Sequence, residues 1–269
     1  MRKPRGDAVL AALTSSLLIM PQAVNADVRA AAQNPISSMN SLPFKLTFDQ
    51  GASNGSGTIL NINPVLPVRV GEWNLVNRAL IPLANVDGSI QGANNPSPQG
   101  GGSASGIGDI NYSLYFSPVE YDKVIWGVGP SINLPTASDD QLGSGKWSAG
   151  ITGVALSQPE WGSMGILGRQ LWSFAGDDDR KDVNMSMAKY FVMYDLNKDW
   201  KLVSIPYGVT YYWNKPDSEA LSLPVGGGVQ RNFKIGSQDG SLHLQYFNYV
   251  VRPTKGSEEE VRLTLEWYF

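Results

Sequence analysis

Apolar and polar residues alternate with a period of two along most of the chain. Between Asp109 and Phe116, one face takes Ile110, Tyr112, Leu114 and Phe116, and the other takes Asp109, Asn111, Ser113 and Tyr115. From Val124 to Leu134, Val124, Trp126, Val128, Ile132 and Leu134 stand opposite Gly127, Gly129, Ser131 and Asn133. Leu42 to Phe48 and Leu60 to Val70 repeat the pattern. No 3.6-residue period is sustained. The alternation predicts strands over 42–49, 56–70, 74–86, 106–117, 123–134, 146–157, 163–174, 183–194, 200–213, 221–234, 241–252 and 258–269. In two of them the apolar phase slips, between Met187 and Tyr190 and near Phe247, as either bulges or a different register would make it do.

Alternation alone fits either a soluble antiparallel sheet or a barrel in lipid. Three features favour lipid. Short turns (Gly71 to Trp73, Pro118 to Asp122, Gln158 to Gly162, Asp195 to Asp199) interleave with longer polar loops (Asp87 to Ser105, Pro135 to Gly145, Ala175 to Asp182, Asn214 to Ala220). Membrane barrels have this asymmetry between periplasmic turns and external loops. All eight tryptophans lie in a turn or near a strand end, five toward the short-turn side and three toward the long-loop side, where aromatic girdles meet headgroups. The last strand is apolar on one face to the final residue, through Val261, Leu263, Leu265, Trp267 and Phe269, against Arg262, Thr264, Glu266 and Tyr268. Its Leu263, Leu265, Trp267 and Phe269 look like the C-terminal signal read by barrel-assembly machinery. The expected fold is all-β: a transmembrane antiparallel up-and-down β-barrel of about 12 strands, with both termini in the periplasm.

The N-terminus carries Arg2, Lys3 and Arg5, an apolar stretch from Ala8 to Met20, and then Val24-Asn25-Ala26. This reads as a signal peptide over 1–26, the apolar stretch being too short to cross a bilayer as a helix. Residues 27–41 then form a short periplasmic or lumenal segment, too short for a full plug, and 42–269 the barrel. The expected location is the outer membrane of a Gram-negative cell, among lipid and lipopolysaccharide. Cleavage takes the net charge from −3 to −5, without the basic footprint that nucleic acid requires.

Chemistry-bearing motifs are few. Cysteine is absent and His243 is the single histidine, which excludes thiolate and histidine-rich metal centres. Gly143-Ser144-Gly145-Lys146 lacks the remaining positions of a phosphate loop, with Asp140 and Trp147 where Gly and Ser or Thr belong. A surface hydrolase would pair a serine with His243, but Gln245 stands two residues on, so no enzyme is expected. The acidic runs Asp139-Asp140, Asp177-Asp178-Asp179 and Glu258-Glu259-Glu260 lack calcium-loop spacing and read as a solvated external face. No cofactor or metal is expected. Opposite the apolar face stand Lys45, Arg69, Asp109, Arg169, Lys234, Arg262 and Glu266, the candidate lumen-facing residues; their basic excess favours anions.

Gly106-Ile107-Gly108-Asp109-Ile110, Gly129 to Thr136 and Leu142 to Gly150 resemble the outer-membrane proteins grouped under the meta-pathway of phenol degradation. Trp172 to Gly176, Pro224 to Val229 and Asn248 to Pro253 extend the resemblance from about Leu60 to the end. It implies a transporter for small hydrophobic or aromatic compounds and carries no catalytic residues. The expected function is therefore an outer-membrane channel for small solutes. The alternatives are a closed structural or adhesive barrel acting through its acidic loops and, behind that, a surface hydrolase.

Overall fold

The computed structural model describes residues 33–53, 55–88 and 102–269. The signal peptide expected over 1–26 and most of the loop expected over Asp87 to Ser105 lie outside them.

Fifteen β segments form one antiparallel sheet that closes on itself, and three broken pairs reduce them to twelve barrel strands. In order they are β1 (Ser41–Ala52), β2 (Gly55–Ile62) with β3 (Val65–Val70), β4 (Trp73–Gly88), and β5 (Ser103–Ile107) with β6 (Ile110–Pro118). There follow β7 (Ile125–Leu134), β8 (Lys146–Ser157), β9 (Gly162–Gly176), β10 (Asn184–Asp195), and β11 (Trp200–Ser204) with β12 (Val209–Tyr212). A one-turn helix α1 (Asp217–Ala220) precedes β13 (Leu221–Ile235), β14 (Gln238–Val251) and β15 (Glu259–Tyr268). Each strand pairs with its chain neighbour, and β15 pairs with β1 from Ser41↔Tyr268 to Gln50↔Glu259, which closes the ring. The closed ring has no free edge, a condition for backbone placed in hydrocarbon, while β5, paired with β4 alone, extends from it.

The short turns use Gly71 and Gly236, each at φ 61°, a conformation that glycine adopts without the Cβ penalty. The strands flanking the first long loop run further than their sequence suggests, β4 to Gly88 and β5 from Ser103. β14 also begins at Gln238, three residues earlier than expected, because a tight turn carries the ladder down to Ile235↔Gln238.

The outward face is the apolar one: Val128, Ile151, Ile166, Leu202, Leu244 and Leu263 are all exposed. Tryptophans ring both ends. Trp73 meets Trp126 edge-on at 6.2 Å and Trp161 stacks on Tyr194 at 6.2 Å on the periplasmic side, while Trp213 meets Tyr211 at 4.9 Å on the other.

The two apparent phase slips are not bulges. β10 pairs with β9 without interruption from Asn184↔Trp172 to Tyr194↔Gly162, and Met185, Met187, Phe191 and Met193 all point inward. Phe247 is likewise an inward residue in unbroken register with β15; the irregularity in β14 lies higher, where Leu223 pairs with Val251 and Pro224 with Tyr249. Apolar side chains in the lumen produced the illusion. They form a buried cluster in which Ile36, from the segment before β1, packs with Val65, Val76, Tyr115 and Ile125.

Candidate lumenal site

Inward-facing side chains leave three small cavities along the barrel axis. The outermost, about 100 Å³, is lined mostly by apolar groups, Ile59, Pro82, Ala84, Val86 and Leu142 among them, and also by Asp49, Tyr249 and Glu260. The middle one, about 80 Å³, is lined by Lys45, Arg78, Arg169, Lys189 and Arg262 together with Asn61, Asn63 and Asn111. The periplasmic one, about 110 Å³, lies between Gln33 and Pro35 of the N-terminal segment and Phe191, His243, Gln245 and Glu266. Tyr207 borders the first two, and Lys45, Arg78, Lys189 and Arg262 border the last two, so the cavities adjoin.

Tyr207 reaches the lumen at the break between β11 and β12. Val192 pairs with Ser204 and Ala188 with Val209, so three residues of β10 face four of the opposite strand. The extra residue, with Pro206 lacking an N–H, bows 205–208 away from the ladder. Arg262 fastens the bow: its Nη1 donates to the Ile205 carbonyl at 2.9 Å, and Gln245 Oε1 accepts from Ile205 N at 3.0 Å. The Arg262 guanidinium also pairs with Glu260, both side chains being almost wholly buried, and lies 5.5 Å from the Phe247 ring centroid. Tyr249 donates its hydroxyl to Glu260 at 2.9 Å. A buried ion pair held by further hydrogen bonds and a ring face is costly to break from either side.

Arg169 is less fully engaged. Its Nη1 donates to Asn111 Oδ1 at 2.5 Å, while its Nε has no partner. Asn111 in turn gives its amide to Ser131 Oγ at 3.2 Å and the Ile132 carbonyl at 3.0 Å, which fixes it as an acceptor for the guanidinium.

The seven residues singled out from the sequence separate into groups. Lys45, Arg169 and Arg262 meet in the middle cavity, and Glu266 sits below, hydrogen-bonded by Ser41 and Tyr268. Asp109, 2% exposed, is bound into the fold: it accepts from Ser144 N and Oγ, each at 2.7 Å, and from Ala137 N at 3.3 Å, holding the loop between β7 and β8. Lys234 pairs with Asp239 at 3.8 Å beside the last periplasmic turn. Arg69 is exposed at the end of β3, its Nε donating to the Gly71 carbonyl at 3.3 Å.

Arg78 and Lys189 were missed. Arg78 alternates with Val76 and Leu80 on a face whose apolar members hide its direction, and Lys189 sits inside the apparent slip of β10.

Two further placements differ from expectation. A serine does reach the histidine: Ser241 Oγ lies 2.9 Å from His243 Nε2 and 3.0 Å from the Tyr268 hydroxyl. It precedes His243 by two residues on the same face instead of following it. Ser241 is wholly buried and faces the lumen, leaving no room beside Oγ for a carbonyl carbon to approach. Glu260, read as part of an external acidic run, turns inward to Arg262 because strand parity continues past Glu259. Of the remaining acidic run positions, Asp140 pairs with Arg180 at 3.2 Å and Glu258 with Arg252 at 3.2 Å, while Asp139 and Asp177 accept from the backbone N–H groups of Gln141 and Asp179.

The sequence model of the family described as "Putative MetA-pathway of phenol degradation" matches residues 29–253. The chain belongs to this family. Comparison with curated proteins yields no match. Among solved structures, an outer membrane channel from Pseudomonas putida F1 is similar at 15% identity and a TM-score of 0.57, over 86% of this chain and 94% of that one. The translocator domain of the autotransporter NalP from Neisseria meningitidis aligns at 12% identity and a TM-score of 0.45, over 98% and 99% of the two chains. The Pseudomonas putida toluene transporter TodX aligns at 10% and 0.41, over 92% and 94%. At such identities the first of these supports the fold, that of an outer-membrane barrel.

Proposed function

We propose that this family member is a channel of the outer membrane that passes small solutes, with apolar and aromatic compounds as the class it suits. The observation that carries this reading is the series of adjoining cavities through the interior of a closed twelve-strand barrel. A barrel of eight strands is just filled by side chains and one of sixteen holds a wide aqueous pore, so twelve suits a narrow path. The family's description and the similarity to an outer membrane channel agree with it. On this reading lipid and lipopolysaccharide surround the apolar wall. The outward-facing Leu263, Leu265, Trp267 and Phe269 serve as the signal to the assembly machinery.

A hydrolase reading is weaker because the one Ser-His contact is sealed inside the barrel. A purely adhesive reading has less behind it: Glu260 turns into the lumen, and Asp140 and Glu258 pair with neighbouring cations.

The test is single-channel conductance of refolded protein in a planar bilayer, with folding verified by heat-modifiable gel migration. Discrete openings altered by small aromatic solutes are expected. A silent bilayer with folded protein would overturn the channel reading and leave the closed structural barrel.

A further inference from the structure

Five cationic side chains from five different strands converge on the middle cavity: Lys45, Arg78, Arg169, Lys189 and Arg262. No carboxylate lines it. Glu260 lies on the outer side, committed to Arg262 and Tyr249, and Glu266 on the periplasmic side, committed to Ser41 and Tyr268. Among the described residues, no hydrogen bond or ion pair engages the side chains of Lys45, Arg78 or Lys189. Like charges gathered in a space of low dielectric repel strongly, and an enclosed wall focuses their field on whatever anion enters.

A second observation points the same way. Arg169 Nε borders this cavity, is buried, and has no hydrogen-bond partner. Buried donors are rarely left so, and this one marks a place where an anionic acceptor completes the bonding.

We infer that the middle cavity binds a small organic carboxylate, its charged end among Lys45, Arg78 and Lys189 and its apolar body in the outer cavity against Ile59, Ala84 and Leu142. Guanidinium forks match carboxylate geometry, and lysine adds mobile point charge. The adjoining apolar cavity favours an organic acid over inorganic phosphate, which has no body to place there. This deepens the channel reading by naming a solute class, and its biological sense rests on that reading, although binding itself needs no conduction.

The experiment is calorimetric titration of the full chain, folded in detergent, with benzoate, benzyl alcohol and inorganic phosphate. Benzoate is expected to bind, with the alcohol and phosphate at least about tenfold weaker. Lys189→Gln and Arg78→Gln each weaken benzoate by about tenfold, the scale of one charge-assisted hydrogen bond, while Lys189→Arg retains it. In bilayers under a KCl gradient the parent protein favours chloride, and Lys189→Gln moves the reversal potential toward zero. Equal benzoate affinity in parent and both glutamine variants, all folded by gel migration, overturns the site. So does alcohol or phosphate binding as tightly as benzoate. The two readings fail separately: conduction without benzoate binding removes the site and keeps the channel, whereas binding with a silent bilayer keeps the site and removes the channel.

Discussion

At the external end of the lumen the loop between β7 and β8 is drawn inward by hydrogen bonds to charged groups, whereas at the periplasmic end residues 33–40 are held mainly by apolar packing. Outside, Asp109 grips Ser144 and Ala137, while Arg180 donates to the Gly143 carbonyl and pairs with Asp140. Leu142 is thereby set against Val86 and Ala104 over the outer cavity. Inside, Ile36 is 2% exposed among Val65, Val76 and Tyr115, and the direct side-chain link from the segment to the wall is Gln33 Nε2 to Asp195 Oδ1 at 3.4 Å. Directional bonds to buried charge specify one position and fail abruptly. Apolar packing is nearly as strong but tolerates sliding, so on the proposed channel reading the periplasmic closure is the one suited to yield.

The comparison breaks first, if it breaks, at Asp109. Asp109→Ala removes the acceptor of four donors at once, Ser144 N and Oγ, Ala137 N and Asn133 Nδ2, and at about 1.5–3 kcal/mol for each bond to a charged acceptor the expected loss is at least about 3 kcal/mol. Urea unfolding in micelles measures it, and protease cutting within 135–145 reports the freed loop. An unchanged midpoint would mean that the loop is held by something other than this carboxylate.

Ile36→Ala is expected to cost about 2 kcal/mol, the low end for such a truncation, because a segment ahead of the first strand can settle into the space. Its larger signature is in conductance, where openings become wider or noisier while the Asp109 variant's periplasmic end stays as before. Equal effects on conductance from both would erase the distinction between the two closures. Arg180→Gln should cost somewhat less, about 1.5 kcal/mol: the pairing with the largely exposed Asp140 contributes little, and the loss is mainly that of the charged donor to the Gly143 carbonyl.

The outward wall was legible in the sequence because lipid demands an apolar residue at every second position, as β6, β7 and β15 show. The lumen makes no such demand. Met185, Met187, Phe191 and Phe247 enter it as readily as polar groups, which blurred the phase of β10 and β14 and concealed Lys189. Lys45, Arg169 and Arg262 could be assigned to the inner face, but parity places a residue on a face and says nothing of its height along the barrel. Height separates the central cations from Arg69 at its turn. The bow at 205–208 had a signal in Pro206 and Gly208, yet its inward direction follows from Arg262, 57 residues away. Ser241 and His243 meet because side chains two apart on a strand share a face, a relation as open on the N-terminal side as on the C-terminal one.

A last measurement tests whether charge governs the external end beyond that one loop. Lys215, in the loop before α1, lies 5.0 Å from the Tyr212 ring centroid. Burial, aided by the nearby charge of Lys181 and opposed by that of Glu219, lowers its pKa from 10.5 to about 8. A lysine lowered in the folded state binds fewer protons there than in the unfolded chain between about pH 8 and 10.5. Its penalty is therefore fully present below about pH 8 and is relieved as pH rises toward 10.5, so stability contributed at this position increases across that window. The effect is small, because the group is only about half enclosed and solvent screens it. Urea midpoints at pH 7.5 and 10.5, compared between the parent and Lys215→Met, isolate it: the parent should gain on the variant as pH rises. A variant whose pH dependence matches the parent's would show that Lys215 keeps its water, and would confine the external end's electrostatic control to Asp109 and Arg180.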